Sequence, residues 1–199
     1  METSSYSNLM FNILFDGDSI TACYDVLTNE DTLNGFPLII KNSINCNYKN
    51  VAVSGSTSTD LLNRLKNNIL DNFIPDIYII QTGANDAWNK IKYNIEVTNE
   101  QYYNNLVNII NFIKQLNPNV VIIIQTIVTT NKSLLLKEIK DKNDIIKKIA
   151  IQLECSLIDN FSLFSNEDIY DDEVHYKESF HERIADEIKI CLKEKCLCV

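Results

Sequence analysis

The stretch "ILFDGDSITACYD", Ile13 to Asp25, decides how the whole chain is read. An apolar run of strand length stops at Gly17-Asp18-Ser19, and a short helical pattern follows. Serine at such a junction commonly caps the helix. It can also be a nucleophile presented at the end of a strand. The junction alone does not separate the two, so the remaining sequence has to.

Further apolar, β-branched runs of strand length follow the first, Phe11–Phe15. They are Tyr48–Val53, Asp76–Gln81, Val120–Val128 and Ser156–Ile158. Amphipathic helical stretches separate them. Leu61, Leu62, Leu65 and Ile69 share one face. So do Leu106, Ile109, Ile110, Ile113 and Leu116, with Asn117-Pro118 as a stop. Ile145, Ile146, Ile149, Ala150 and Leu153 form a third face, and Ile184, Ile188, Cys191 and Leu192 a fourth. Continuous apolar strands are buried on both sides, and strands joined through helices pair in parallel. The expectation is an α/β fold: a three-layer α/β/α sandwich around a central, mainly parallel sheet of about five strands. With no repeat or linker, residues 1–199 read as one domain.

Composition narrows the function. Hydrophobic residues make up 45% and charged residues 23%, which is ordinary for a globular chain. The net charge of −9 argues against nucleic acid and against an anionic membrane surface. No apolar run approaches the roughly 20 residues of a membrane span, and "METSSYSNLM" lacks the marks of a secretory signal. A cytoplasmic location is expected. The six cysteines, Cys23, Cys46, Cys155, Cys191, Cys196 and Cys198, read as free, mostly buried thiols. A metal clip at Cys196 and Cys198 lacks partners at finger-like spacing, and the terminal "CLCV" has only the outline of a prenylation signal.

Ligands of a parallel sheet bind at the carboxyl ends of its strands. Three of the four glycines, Gly17, Gly55 and Gly83, lie at such ends; Gly35 does not. Each of the three stands beside Ser, Asn or Asp, and the segments Gly17–Ser19, Ser54–Ser56 and Gly83–Asp86 should converge on one edge. The G-x-G-x-x-G, P-loop and G-x-S-x-G patterns are absent. "HERIA", His181 to Ala185, places Ala where a zinc helix needs its second His. A serine nucleophile needs a base. His181, at the start of the last helix, is expected to face solvent. His175, in "YDDEVHY", follows Asp172 by three residues, a spacing that lets the carboxylate hold one ring nitrogen and leave the other free. Candidate donors to an oxyanion are the N–H groups of Ser19 and Gly55 and the side-chain amide of Asn85.

Taken in order, Ser19 in "GDSIT", Gly55 in "VAVSGSTSTDLLNRL", Asn85 in "QTGANDAW" and His175 in "DEVH" resemble the four blocks of the SGNH, or GDSL, hydrolases. The blocks look most like those of small acylhydrolases and carbohydrate acetylesterases. The resemblance implies the flavodoxin-like fold of that family and hydrolysis of a small acylated carbohydrate or lipid. Ser19 would be the nucleophile and an oxyanion donor, with Gly55 and Asn85 as the other donors. His175 would be the base and Asp172 its orienter, while Asp18 and Asp86 would hold the loops. No cofactor and no metal is implied. Two departures stand out. Tyr176 follows His175 where many relatives carry Pro, with no Gly in "KESFHERIA", and Val51-Ala52 replaces a frequent Asn-Gly. The first bears on the angle of the His175 loop. Lysophospholipase or thioesterase action on the same site is the alternative within enzymes, and a scaffold that binds glycan or lipid without catalysis is the alternative outside them. The substrate pocket is expected to draw on the loops Ala22–Gly35, Asn89–Asn99 and Thr129–Leu136.

Overall fold

A computed structural model describes residues 10–28, 30–32, 34–129 and 133–195. The chain runs β1 (Phe11–Gly17), α1 (Ser19–Ala22), β2 (Tyr24–Asp25), β3 (Glu30–Asp31), α2 (Phe36–Ser43), β4 (Cys46–Asn50) and α3 (Ser58–Lys66). It continues through β5 (Ile77–Gln81), α4 (Ala84–Tyr93), α5 (Asn99–Leu116), β6 (Val121–Gln125), α6 (Leu136–Gln152), β7 (Ser156–Ile158), α7 (Asn160–Leu163) and α8 (Glu178–Glu194). Five strands pair in the order β4-β1-β5-β6-β7, every pair parallel. The short β2 and β3 form a separate antiparallel hairpin.

Side chains of a strand alternate between faces, and here both faces are covered. Leu14, Tyr78, Ile80, Ile122 and Ile124 pack under α3, α5 and α6. Their neighbours Ile13, Phe15, Ile77, Ile79 and Ile123 pack with Phe36 and Ile40 of α2 and with Phe180, Ile184 and Ile188 of α8. This is why the strands read as unbroken apolar runs rather than alternating ones.

The expected sandwich and its five strands are present, with local differences. The edge strand β4 begins at Cys46 and ends at Asn50, although Val51 and Val53 still donate to Phe15 and Gly17 of β1. The run at Val120–Val128 is strand only to Gln125. Helix α3 stops at Lys66, which leaves Ile69 38% exposed and off the shared face. Helices α2 and α4 fall in segments the periodicity left unassigned. The first turn of α2 holds Pro37, whose fixed φ suits a helix start. Cys23, Cys46, Cys155 and Cys191 are free and partly buried. The metal-clip and prenylation readings of Cys196 and Cys198 lie outside the described residues. Among the described residues, no helix is long and apolar enough to cross a membrane.

Candidate active site

The three glycine-bearing strand ends and the loop before α8 meet at one edge of the sheet. β1 delivers Ser19 as the first residue of α1, and the Asp18 carboxylate caps the turn by accepting the Ile20 N–H at 3.1 Å. The helix is a single turn closed by Cys23 at φ 56, so little macrodipole accumulates behind Ser19. What the turn offers is the backbone N–H of Ser19 at its open start. Burial pushes the Asp18 carboxyl up to about 7. After β4 the chain passes Gly55, at φ +78, before Thr57 caps α3 in a reciprocal box with Asp60. After β5, Gly83 turns at φ +121, where a Cβ would meet Ile127 and Tyr102 at 2.6 Å. A larger residue there would displace the start of α4, on which Asn85 sits.

The loop before α8 carries His175 and Asp172. His175 Nε2 lies 2.8 Å from Ser19 Oγ, and His175 Nδ1 lies 2.5 Å from Asp172 Oδ2. The other Asp172 oxygen accepts the N–H groups of Val174 and His175, both at 3.0 Å. Glu173 takes φ 66 to make this tight turn. Partial burial of Asp172 works against its charge, but the hydrogen bonds from His175 and the loop outweigh it and bring the carboxyl down to about 2. An ionised Asp172 can only accept, so Nδ1 carries the ring proton and Nε2 is free to accept from Ser19.

Asn85 Nδ2 donates to the Ser56 carbonyl at 3.1 Å, which leaves its second N–H available. Asp86 turns away from the cavity and accepts Ser58 N–H at 2.9 Å and Ser58 Oγ–H at 2.6 Å, which joins α4 to α3. Burial raises the Asp86 carboxyl, with the Ser58 bonds opposing. Ser19, Gly55, Asn85, Asp172 and His175 all line a cavity of about 530 Å³. Its other walls are Tyr24, Val26, Ser54, Ala84, Trp88 and Val174. Of the loops expected to shape it, only the first contributes among the described residues, through Tyr24 and Val26. Helix α4 supplies Trp88 in place of the loop after it.

His181 corrects the sequence reading. It is 4% exposed, stacked on Phe36 with ring centroids 6.0 Å apart, and 3.8 Å from Cys23 Sγ. Burial brings its ring down to about 4, so it is neutral near pH 7. The signal was present, since His181 precedes Ile184, Ala185 and Ile188 at spacings of three, four and seven, on the buried face of α8.

Sequence reasoning also passed over Arg64. Its guanidinium donates to Ser56 Oγ at 2.6 Å, Asp16 Oδ1 at 3.0 Å and the Gly17 carbonyl at 3.1 Å. Asp16 also accepts from Tyr78 OH at 3.2 Å. Complete burial still carries the Asp16 carboxyl up to about 6, with Arg64 pulling the other way. Being one of only two arginines in the chain was its sequence signal. Among the described residues, no three His, Cys, Asp or Glu side chains are grouped to hold a metal ion.

A model of the GDSL-like lipase/acylhydrolase family matches residues 15–183. No curated protein matches. Among solved structures, an α/β hydrolase enzyme from the metagenome of Lake Arreo, Spain, superposes with a TM-score of 0.75 at 20% identity, covering 96% of this chain and 99% of its own. Axe2, an acetylxylan esterase from Geobacillus stearothermophilus, gives 0.73 at 21%, covering 92% and 93%. A GDSL-like lipase from Bacteroides thetaiotaomicron gives 0.73 at 16%, covering 92% and 88%. At these identities the likeness is one of fold.

Proposed function

This chain belongs to the GDSL-like lipase/acylhydrolase family, and from that premise we propose that it is a single-domain serine esterase. It removes a short acyl group such as acetyl from a small carbohydrate or lipid ester. The observation that carries the reading is the chain Ser19 Oγ–His175 Nε2, 2.8 Å, and His175 Nδ1–Asp172, 2.5 Å, on the wall of the cavity.

Ser19 Oγ attacks the ester carbonyl carbon while its proton passes to His175 Nε2. The carbonyl oxygen gains the negative charge and is met by the N–H groups of Ser19 and Gly55 and by the free N–H of Asn85. Collapse breaks the ester C–O bond, and the leaving alkoxide takes the proton from His175. Water then loses a proton to His175 and attacks the acyl carbon; the bond from that carbon to Ser19 Oγ breaks, Oγ takes the proton back from His175, and the free acid leaves. Asp172 holds the ring in the tautomer these steps need and stabilises the imidazolium between them. Asp18 and Asp86 act through backbone and Ser58 contacts and touch no reacting atom.

Trp88 and Tyr24 give the cavity flat aromatic walls, a surface that suits a sugar ring, and an acetylxylan esterase shares the fold. The lipid-acting alternative draws on Val26, Val174 and Ala84 in the same wall. Among the described residues no Lys or Arg lines the cavity, so an anionic thioester or phosphate headgroup finds no counter-charge there. The test is hydrolysis of p-nitrophenyl acetate, butyrate and octanoate by wild type and Ser19→Ala. Activity on acetate that vanishes in a folded mutant is expected. Wild-type turnover by Ser19→Ala removes the assignment, and a preference for octanoate moves the substrate to lipid.

A further inference from the structure

The residue after His175 is Tyr176, and the fold uses it as an anchor. Its side chain is 4% exposed, with its ring edge on Phe180 at 4.9 Å. Its hydroxyl oxygen accepts from Gln81 Nε2 at 2.9 Å. Gln81 is the last residue of β5, paired with Gly17 of β1, and lies four positions before Asn85. The same amide reaches the Thr126 carbonyl after β6 at 3.3 Å. The His175 loop has other anchors: the two bonds of the Ile169–Tyr176 bridge, Tyr170 N–H on the His175 carbonyl at 2.9 Å and Lys177 N–H on the Asp168 carbonyl at 2.8 Å, and Thr129 Oγ1–H on the Glu173 carbonyl at 2.9 Å. The bond to Gln81 ties this loop to the strand ends that carry Ser19 and Asn85. Tyr176 lies outside the catalytic cavity and faces a second one, of about 220 Å³.

We infer that Tyr176 and Gln81 are a positioning pair whose hydrogen bond fixes the His175 ring over Ser19. The inference rests on the esterase reading for its kinetic consequences but not for its structural one. General-base transfer across 2.8 Å is steep in distance, and a displacement of about 1 Å can cost on the order of 10² in rate. Loss of one anchor among several should cost about tenfold in kcat. KM should hold, because the pair does not touch the substrate cavity.

The experiment compares Tyr176→Phe, Gln81→Met and the double variant with wild type and Ser19→Ala. It measures kcat and KM on p-nitrophenyl acetate, thermal melting, and the low-field proton resonance of His175 Nδ1–H, assigned by its loss in His175→Gln. The expected result is a cooperative melt for each variant, about tenfold lower kcat, KM within about twofold, and a broadened resonance. The double variant should be no worse than Gln81→Met alone, which already removes the shared bond together with the Thr126 contact. Wild-type kcat and a sharp resonance in both single variants, with Ser19→Ala inactive, would overturn the pairing and leave the esterase standing. If Ser19→Ala keeps its activity, the esterase reading fails by itself and the resonance alone decides: broadening supports the pair, a sharp line rejects it.

Discussion

Replacing Asp172 with Asn changes almost nothing in shape and reverses one hydrogen bond. Asp172 Oδ1 serves two backbone N–H groups at 3.0 Å, and Oδ2 serves His175 Nδ1 at 2.5 Å. In Asp172→Asn the amide oxygen keeps the two backbone donors, because an NH₂ group cannot accept them. The NH₂ group then faces Nδ1 and donates to it. The imidazole proton is forced to Nε2, the atom that must accept from Ser19 at 2.8 Å. The same exchange in a serine protease triad costs about 10⁴ in kcat, which is about 5.5 kcal/mol of transition-state stabilisation. We expect a loss of that order here, with KM little changed. The assay is steady-state hydrolysis of p-nitrophenyl acetate at pH 7, beside the rate of fluorophosphonate labelling of Ser19, which should fall with kcat. Stability provides a second check. The folded Asp172 carboxyl is held down at about 2 against its ordinary 3.8, so its contribution is present above pH 4 and is lost as the pH falls toward 2. The variant should lack that loss. Retention of kcat within about tenfold of wild type would refute the tautomer argument, since an Asn that keeps the two backbone donors on its oxygen leaves Nε2 protonated and unable to act as a base.

Asn85→Ala should lower kcat by about 10²–10³ while the melt stays cooperative; an unchanged kcat removes Asn85 from the oxyanion site. His181→Gln should alter the pH dependence of folding rather than of catalysis. Burial holds the folded ring near 4 against 6.5, so the unfolded chain binds the extra proton between these values and His181 makes stability fall as the pH drops from 6.5 to 4. Urea unfolding at pH 7 and pH 4 should show the wild type losing up to about 3 kcal/mol more than the variant. Equal losses would mean that the ring is not buried as described.

The strands and the three glycine segments were legible because both signals are local. A strand buried on two faces leaves an apolar run, Gly55 and Gly83 mark turns at positive φ, and Gly17 marks a place where a Cβ would meet Thr21 and the Gln81 carbonyl. Helix α4 was hidden for a physical reason. Its first turn, Ala84-Asn85-Asp86-Ala87, carries the polar residues of the site, so function overrides the amphipathic pattern there. Helix α2, Phe36–Ser43, is too short to show more than two turns of periodicity. The contacts among Ser19, His175 and Asp172 follow the D-x-x-H spacing and the resemblance of the ordered blocks to the GDSL hydrolases. Tyr176 stood out in the sequence, but its contact and those of Arg64 and Gln81 did not, because the partners Asp16, Ser56, Thr126 and Gln81 itself come from distant parts of the chain, brought together only by the parallel sheet.

The Arg64–Asp16 contact constrains how this edge of the sheet can evolve. Both side chains are shielded, Asp16 completely and Arg64 at 17% exposure. Losing either partner alone strands a charge without its counter-ion, at a cost of about 3–5 kcal/mol, whereas exchanging both for well-packed apolar residues is often neutral. Natural drift or a designed library that alters one position at a time therefore meets a barrier here that a paired change does not. Because Arg64 also holds Ser56 beside Gly55, a paired change that preserves stability would still release that segment. Folding and turnover would then separate in the same molecule.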